Sequence, residues 1–266
     1  MQRSRRFYVQ LPVGRMTRMM KKWMSLGLIL LLVLAACNGD DEKKEDEATP
    51  VNAQTLINNA ASKIDEASTF ELVLEASGTP VLLNAGEIGL NQELAFRRAQ
   101  GVFVSPDKLG GTVEIALEDV ITELEIILVG NQQFIKQSFI TQGKWQEMTF
   151  SPTFTPASLK DEEGIANAIR SMQQVEYVGE EDLDGLPVYH IRGVVDAALV
   201  KSVTVGFIGT SNGNIQSDLY IRKEDGLLEK LVLQEPLQEG AEEPTVWTIS
   251  LYNYNEEYTI EIPEEE

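Results

Sequence analysis

The sequence predicts an α+β fold: one strongly curved antiparallel β-sheet, a half-barrel, with helices packed on its concave side around an apolar cavity. Three observations predict it. Apolar and polar residues alternate in many stretches, the period that lays one row of side chains on each face of a sheet. Two stretches instead place apolar residues three and four apart, as amphipathic helices do. The order is helix, strands, a helical insertion, then strands with tight turns, an α+β arrangement. About ten strands in one open antiparallel sheet twist and curl, and two or three helices are enough to plug only the concave side.

Order is expected from Asn52, where Leu56, Ala60, Ile64 and Ala67 form the first helical stripe. Phe70, Leu72, Leu74 and Ala76 then alternate with Glu71, Val73, Glu75 and Ser77. Val113, Ile115 and Leu117 repeat the pattern, as do Leu124, Ile126 and Leu128. The Glu and Leu content between Ala116 and Leu128 favours helix, but Val120, Ile121, Thr122, Ile126, Ile127 and Val129 are β-branched residues or their like, and the segment is read as a hairpin. Two prolines make 151–157 a loop, a candidate lid, with Phe154 exposed. A second stripe, Ile165, Ala168, Ile169 and Met172, follows Asp161, Glu162 and Glu163, acids that suit a helix N-terminus. Strand returns from Pro187 to Gly193, with a short helix around 196–203. Asn212-Gly213 and Asp225-Gly226 signal tight turns, the second joining 215–223 to 227–234 as a hairpin. Trp247, Ile249 and Leu251 alternate in the next strand, and a last strand is expected over 258–262.

The first 36 residues read differently. Seven Arg/Lys and no acid precede the apolar run from Trp23 to Ala36. That run is shorter than the roughly 20 residues of a spanning helix and ends in small residues, the form of a secretory signal. Leu34-Ala35-Ala36-Cys37 resembles the lipobox of bacterial lipoproteins, which implies diacylglycerol on the Cys37 thiol and cleavage just before it. Cys37 is the only cysteine, so the exported chain forms no internal disulfide and lipidation consumes a thiol that would otherwise be a liability. Two or more acyl chains anchor a protein stably where one does not. The expected location is the outer face of the cytoplasmic membrane or the cell envelope. Met16, Met19 and Met20 also suit the start of such a signal, so residues 1–15 are read as an extension without a function. Residues 38–50, almost all polar or charged, form a flexible tether, so 37–51 are lipidated cysteine and linker and 52–266 one domain.

Charge and composition exclude several classes. The chain carries a formal charge of −20, and all 42 Asp/Glu lie beyond Cys37. Basic residues there are single or in isolated pairs such as Arg97-Arg98, so nucleic acid is not an expected partner. An enzyme finds little support. The only histidine, His190, lies in a strand and is read as structural, and no metal-ligand cluster occurs. No cofactor or metal is expected, and the domain is read as a monomer.

Several stretches together resemble a family. They are the lipobox and acidic tether; Ala99-Gln100-Gly101-Val102-Phe103-Val104-Ser105-Pro106-Asp107-Lys108-Leu109; Gly130-Asn131-Gln132-Gln133-Phe134-Ile135; and Gly143-Lys144-Trp145. Val178 to Gly185, Tyr189-His190-Ile191-Arg192-Gly193 and Tyr220 to Leu228 continue it. Over about residues 52–263 the chain is similar to the LppX/LprA/LprF/LprG lipoproteins of mycobacteria. It departs from them where a Trp-Ile-Asp strand sequence is replaced by Leu219-Tyr220-Ile221-Arg222. The resemblance implies a half-barrel like that of the LolA and LolB carriers, an acylated lipid or glycolipid ligand, and movement of that ligand across the envelope with a membrane transporter as partner.

A lipid carrier needs a largely apolar pocket that binds by removing area from water. The candidate lining is Phe70, Leu72, Leu74, Phe96, Val113, Ile115, Leu124, Ile126, Trp247 and Ile249, with Ile165, Ala168, Ile169 and Met172 as a helical cover. The same residues also suit a solid core, which makes the alternative a non-enzymatic envelope interaction or sensor lipoprotein.

Overall fold

Asn52 starts the first helix. Its side-chain oxygen accepts a hydrogen bond from the Thr55 N–H at 2.9 Å, satisfying one of the donors a helix leaves open at its N-terminus. Helix α1 (Ala53–Glu66) buries Ile57, Ala60, Ala61 and Ile64, while Leu56 of the expected stripe is only partly covered. The structure, a computed structural model, describes residues 51–83, 94–117, 120–148, 154–162, 164–204, 208 and 213–264. The expected signal, Leu34, Ala35, Ala36, Cys37 and the tether through residue 50 lie outside them.

After α1 come β1 (Thr69–Ser77), β2 (Val81–Leu83), β3 (Leu94–Val104), β4 (Lys108–Leu117), β5 (Val120–Val129), β6 (Gln132–Lys136) and β7 (Gln146–Glu147). A 3-10 turn (Pro156–Leu159) and helix α2 (Ile165–Arg170) form the insertion. Then follow β8 (Gln173–Leu183), β9 (Leu186–Asp196), α3 (Ala197–Val200), β10 (Asn214–Arg222), β11 (Leu228–Gln234) and β12 (Val246–Tyr252). All these strands form one sheet in the order β7-β6-β5-β4-β3-β1-β12-β11-β10-β9-β8, with β2 alongside β3. Every ladder is antiparallel. Because β7 and β8 end the order without meeting, the curved sheet is unclosed.

Alternation decides what each strand buries. Phe70, Leu72 and Leu74 of β1, Trp247, Ile249 and Leu251 of β12, Leu231 and Leu233 of β11, and Leu219 and Ile221 of β10 share one core. The buried faces of α1, α2 and α3 belong to the same core, so one face of the strands is the helix side. The α1–α2 contact is reinforced at its rim by Arg170 and Asp65, 2.6 Å apart and more than a third exposed, a pair that contributes little on its own. Lys160, just past the 3-10 turn, donates to the Ala67 carbonyl at the end of α1 at 2.6 Å. Burial lowers its pKa against the opposing pull of Asp65.

Four expectations need correction. The segment 258–262 is not a strand. Its alternation is real, but it runs across the far side of the sheet: Tyr258 donates to Glu71 of β1 at 2.7 Å, the Ile260 carbonyl accepts from Lys108 of β4, and Ile260 packs with Ile127 of β5 and Phe134 of β6. A chain lying across strands packs its apolar side without making a ladder. The second helix ends at Arg170, so Met172 follows it, and Gly164 is the N-cap, which puts Asp161 and Glu162 before the first turn. Phe154 is partly buried against the core instead of exposed. The 151–157 loop becomes the 3-10 turn from Pro156, while 151–153 lie outside the described residues. The hairpins of β4 with β5 and β10 with β11 form as the sequence predicts.

Candidate functional site

The fourteen candidate residues meet on the helix side of the sheet, in two clusters. Phe70, Leu72, Leu74, Phe96, Trp247 and Ile249 join Ile165, Ala168, Ile169 and Met172 in the helix-covered core. Ile115 and Leu124 belong to a second cluster with Leu94 and Ile135. Val113 and Ile126, with Leu83, are partly exposed and pack against both. The two clusters therefore adjoin along a seam.

Register explains the seam. One row across the sheet reads Leu72, Gly101, Gly111, Ile126, Ile135, each opposite the next on the neighbouring strand. The row beside it reads Leu74, Ala99, Val113, Leu124. Residues opposite one another share a face, so two glycines and an alanine stand where larger side chains flank them. A Cβ on Gly111 would lie 2.1 Å from the Gln100 carbonyl oxygen and 2.6 Å from the Gly101 Cα; one on Gly101 would lie 2.6 Å from the Gly110 oxygen. The strands pass too closely there for any side chain. Leu72 and Ile126, three strands apart, are separated across the glycines by roughly 14 Å, given the ~4.8 Å strand spacing.

At the edge of the core, Phe96 stacks on Trp247 with ring centroids 5.7 Å apart. The Trp247 indole N–H donates to buried Glu235 at 2.8 Å. Glu235 also borders a surface depression of about 330 Å³ with Asn214, Gln216, Gln234, Pro236, Leu237 and Pro244. None of the fourteen candidates lines that depression.

On the far side of the sheet His190 is buried among charges. Its Nδ1 lies 2.6 Å from Glu181 Oε1 and its Nε2 2.6 Å from Asp218 Oδ1, and the ring stacks on Tyr220 at 4.6 Å. Arg192 donates to the same Asp218 oxygen at 2.9 Å. Both ring nitrogens are thus engaged by carboxylates, and neither meets a serine or cysteine. The arrangement holds β8, β9 and β10 together. Among the described residues no three His, Cys, Asp or Glu side chains gather as metal ligands. Tyr254 packs beneath the helix-side core against Phe70 and donates to the Leu228 carbonyl at 2.8 Å. Burial raises its pKa strongly, only partly offset by Arg222.

The seam glycines, Ala99 and Glu235 were not found by sequence reasoning. Pattern counting registers apolar residues, so a site made by missing side chains leaves no mark in it; only the Gly110-Gly111 pair inside a strand pattern signals close backbone approach.

Comparison with curated proteins found no match. Among solved structures, LprF from Mycobacterium bovis is similar over 79% of this chain and 96% of its own, with 15% identity and a TM-score of 0.62. LppX from Mycobacterium tuberculosis is similar over 79% of this chain and 98% of its own, with 13% identity and a TM-score of 0.53. At such identities the likeness establishes the fold. The sequence pattern of one family matches residues 52–260, nearly the whole of the described sheet and helices. The chain belongs to the LppX_LprAFG lipoprotein family.

Proposed function

We propose that this lipoprotein binds an acylated lipid or glycolipid along the seam and carries it within the cell envelope, held at the outer face of the membrane by acyl chains on Cys37. The observation that carries this reading is the row Leu72, Gly101, Gly111, Ile126. It sets a floor of bare backbone between apolar walls, beside partly exposed Val113. An acyl chain is recognised by area removed from water, and a trough free of side chains offers that area without a polar group to desolvate. The resemblance to envelope carriers agrees with it. Movement of the lipid calls for a membrane transporter as partner.

A second reading has its own support. Twelve of the fourteen candidates, all but Val113 and Ile126, are buried within the packed clusters, as expected of a solid-cored interaction or sensor lipoprotein. The two readings separate on uptake of a fluorescent diacylglycerol by the mature chain. A carrier takes up the probe, and Val113→Trp, which fills the seam, abolishes uptake while leaving the unfolding midpoint in place. A solid core takes up none.

A further inference from the structure

Four large apolar side chains are held out in water at one end of the sheet: Phe139 at 90% exposure, Val120 at 66%, Ile121 at 64% and Leu82 at 57%. The ladders place three of them at the same strand ends. Leu82 pairs with Ala95, Ala95 with Ala116 and Ala116 with Ile121, one row across β2, β3, β4 and β5, and Val120, next to Ile121, projects from the opposite face of the same end. Phe139 belongs to the turn after β6, and Gln137 ties that turn to the same end by donating to Thr122 Oγ1 at 3.0 Å.

The exposure of Phe139 does not come from a loose loop. Buried Gln137 accepts from the N–H groups of Phe139 and Ile140 through its side-chain oxygen at 2.5 and 2.9 Å. The fully buried Thr141 exchanges hydrogen bonds with the Gln137 backbone, accepting from its N–H and donating to its carbonyl, each at 2.9 Å. Ile140 turns inward onto the second apolar cluster. The turn is built, and it aims one phenyl ring away from the protein.

We infer that this end of the domain docks on the lipid bilayer, with Phe139, Ile121, Val120 and Leu82 entering the interface. Grouped exposed apolar side chains mark an interaction surface. The occupant follows from the chain's own attachment. In a lipoprotein lipidated at Cys37, the 15 residues from Cys37 to Val51 span at most about 50 Å when fully extended, so the domain never leaves the membrane's neighbourhood. The four side chains project from a hairpin tip, a short strand and a separate turn spread across several strands, which suits a fluid surface better than a protein pocket. A second, reversible membrane contact also strengthens lipid anchoring. The inference does not depend on a ligand in the seam.

The test uses the lipidated mature protein in phosphatidylcholine vesicles carrying doxyl-labelled lipid. With Cys37 alkylated, an introduced cysteine is the only free thiol, so an environment-sensitive fluorophore is placed by Phe139→Cys, by Ile121→Cys, or by Glu176→Cys on the exposed β8 edge as control. The expected result is a blue shift with several-fold stronger quenching at 139 and 121 than at 176, whether or not lipid is carried. Equal quenching at all three positions overturns the inference, as does a shift at 139 that needs added envelope protein. In the unlipidated Cys37→Ser chain, Phe139→Asp with Ile121→Asp is expected to reduce vesicle co-sedimentation at least tenfold at an unchanged unfolding midpoint. Retained co-sedimentation overturns the inference equally.

Discussion

Gly101 and Gly111 face each other across the β3–β4 ladder, so close that a Cβ on Gly111 would lie 2.6 Å from the Gly101 Cα. The pair removes two side chains from the helix side of the sheet and brings the strands together at the same point. Gly111→Ala is therefore expected to push the strands apart, costing about 1–3 kcal/mol as overpacking does, and to reduce probe uptake as well. Denaturant unfolding and uptake measured on one preparation check both effects.

Tryptophan substitutions distinguish seam from core. Ala168 is buried on α2 within the main cluster, so Ala168→Trp is expected to lower stability by about 1–3 kcal/mol or prevent folding. Val113→Trp, at a partly exposed seam position, is expected to change stability by less than about 0.5 kcal/mol. Thermal melts of the two variants give the comparison.

His190 makes a structural prediction. His190→Ala leaves Glu181 and Asp218 without the ring nitrogens they meet at 2.6 Å. A cost near the low end of about 1–3 kcal/mol is expected, because solvent reaches both carboxylates. The site is on the far side of the sheet, so uptake of an acyl probe should be unchanged. A loss of uptake without a loss of stability would assign the histidine a functional role.

Alkaline pH tests the burial of Tyr254. Its pKa is raised mainly by burial, so above about pH 10 the unfolded chain releases a proton that the folded chain keeps. The unfolded state then binds fewer protons, and stability falls as pH rises. Below pH 10 the contribution is fully present. Tyr254→Phe should show a shallower decline in unfolding free energy between pH 9 and 11 than the parent, although it loses the bond to Leu228.

The sheet was legible in the sequence because its strands are half-buried: Phe70, Leu72 and Leu74 alternate with exposed or partly exposed partners, and the alternation is the burial. Helix α1 was legible from the spacing of Leu56, Ala60, Ile64 and Ala67. The last segment was not legible, because Tyr258 and Ile260 show the same period whether they join a ladder or lie across one. Strand β6 was hidden for a related reason: Gln133, Phe134 and Ile135 are all buried, since the C-terminal segment covers the far face there and erases the alternation. The candidate residues lie on one side of the sheet, but their division into two clusters arises from pairing between distant strands and from the close strand approach at the glycines.

The seam is proposed to hold an acylated lipid. Native mass spectrometry of the mature protein purified from envelopes, followed by organic extraction, tests it most directly. The expected result is a bound diacyl or triacyl species near one per chain, lost in Val113→Trp. An unliganded mass in the parent protein, persisting after incubation with lipid vesicles, would contradict it.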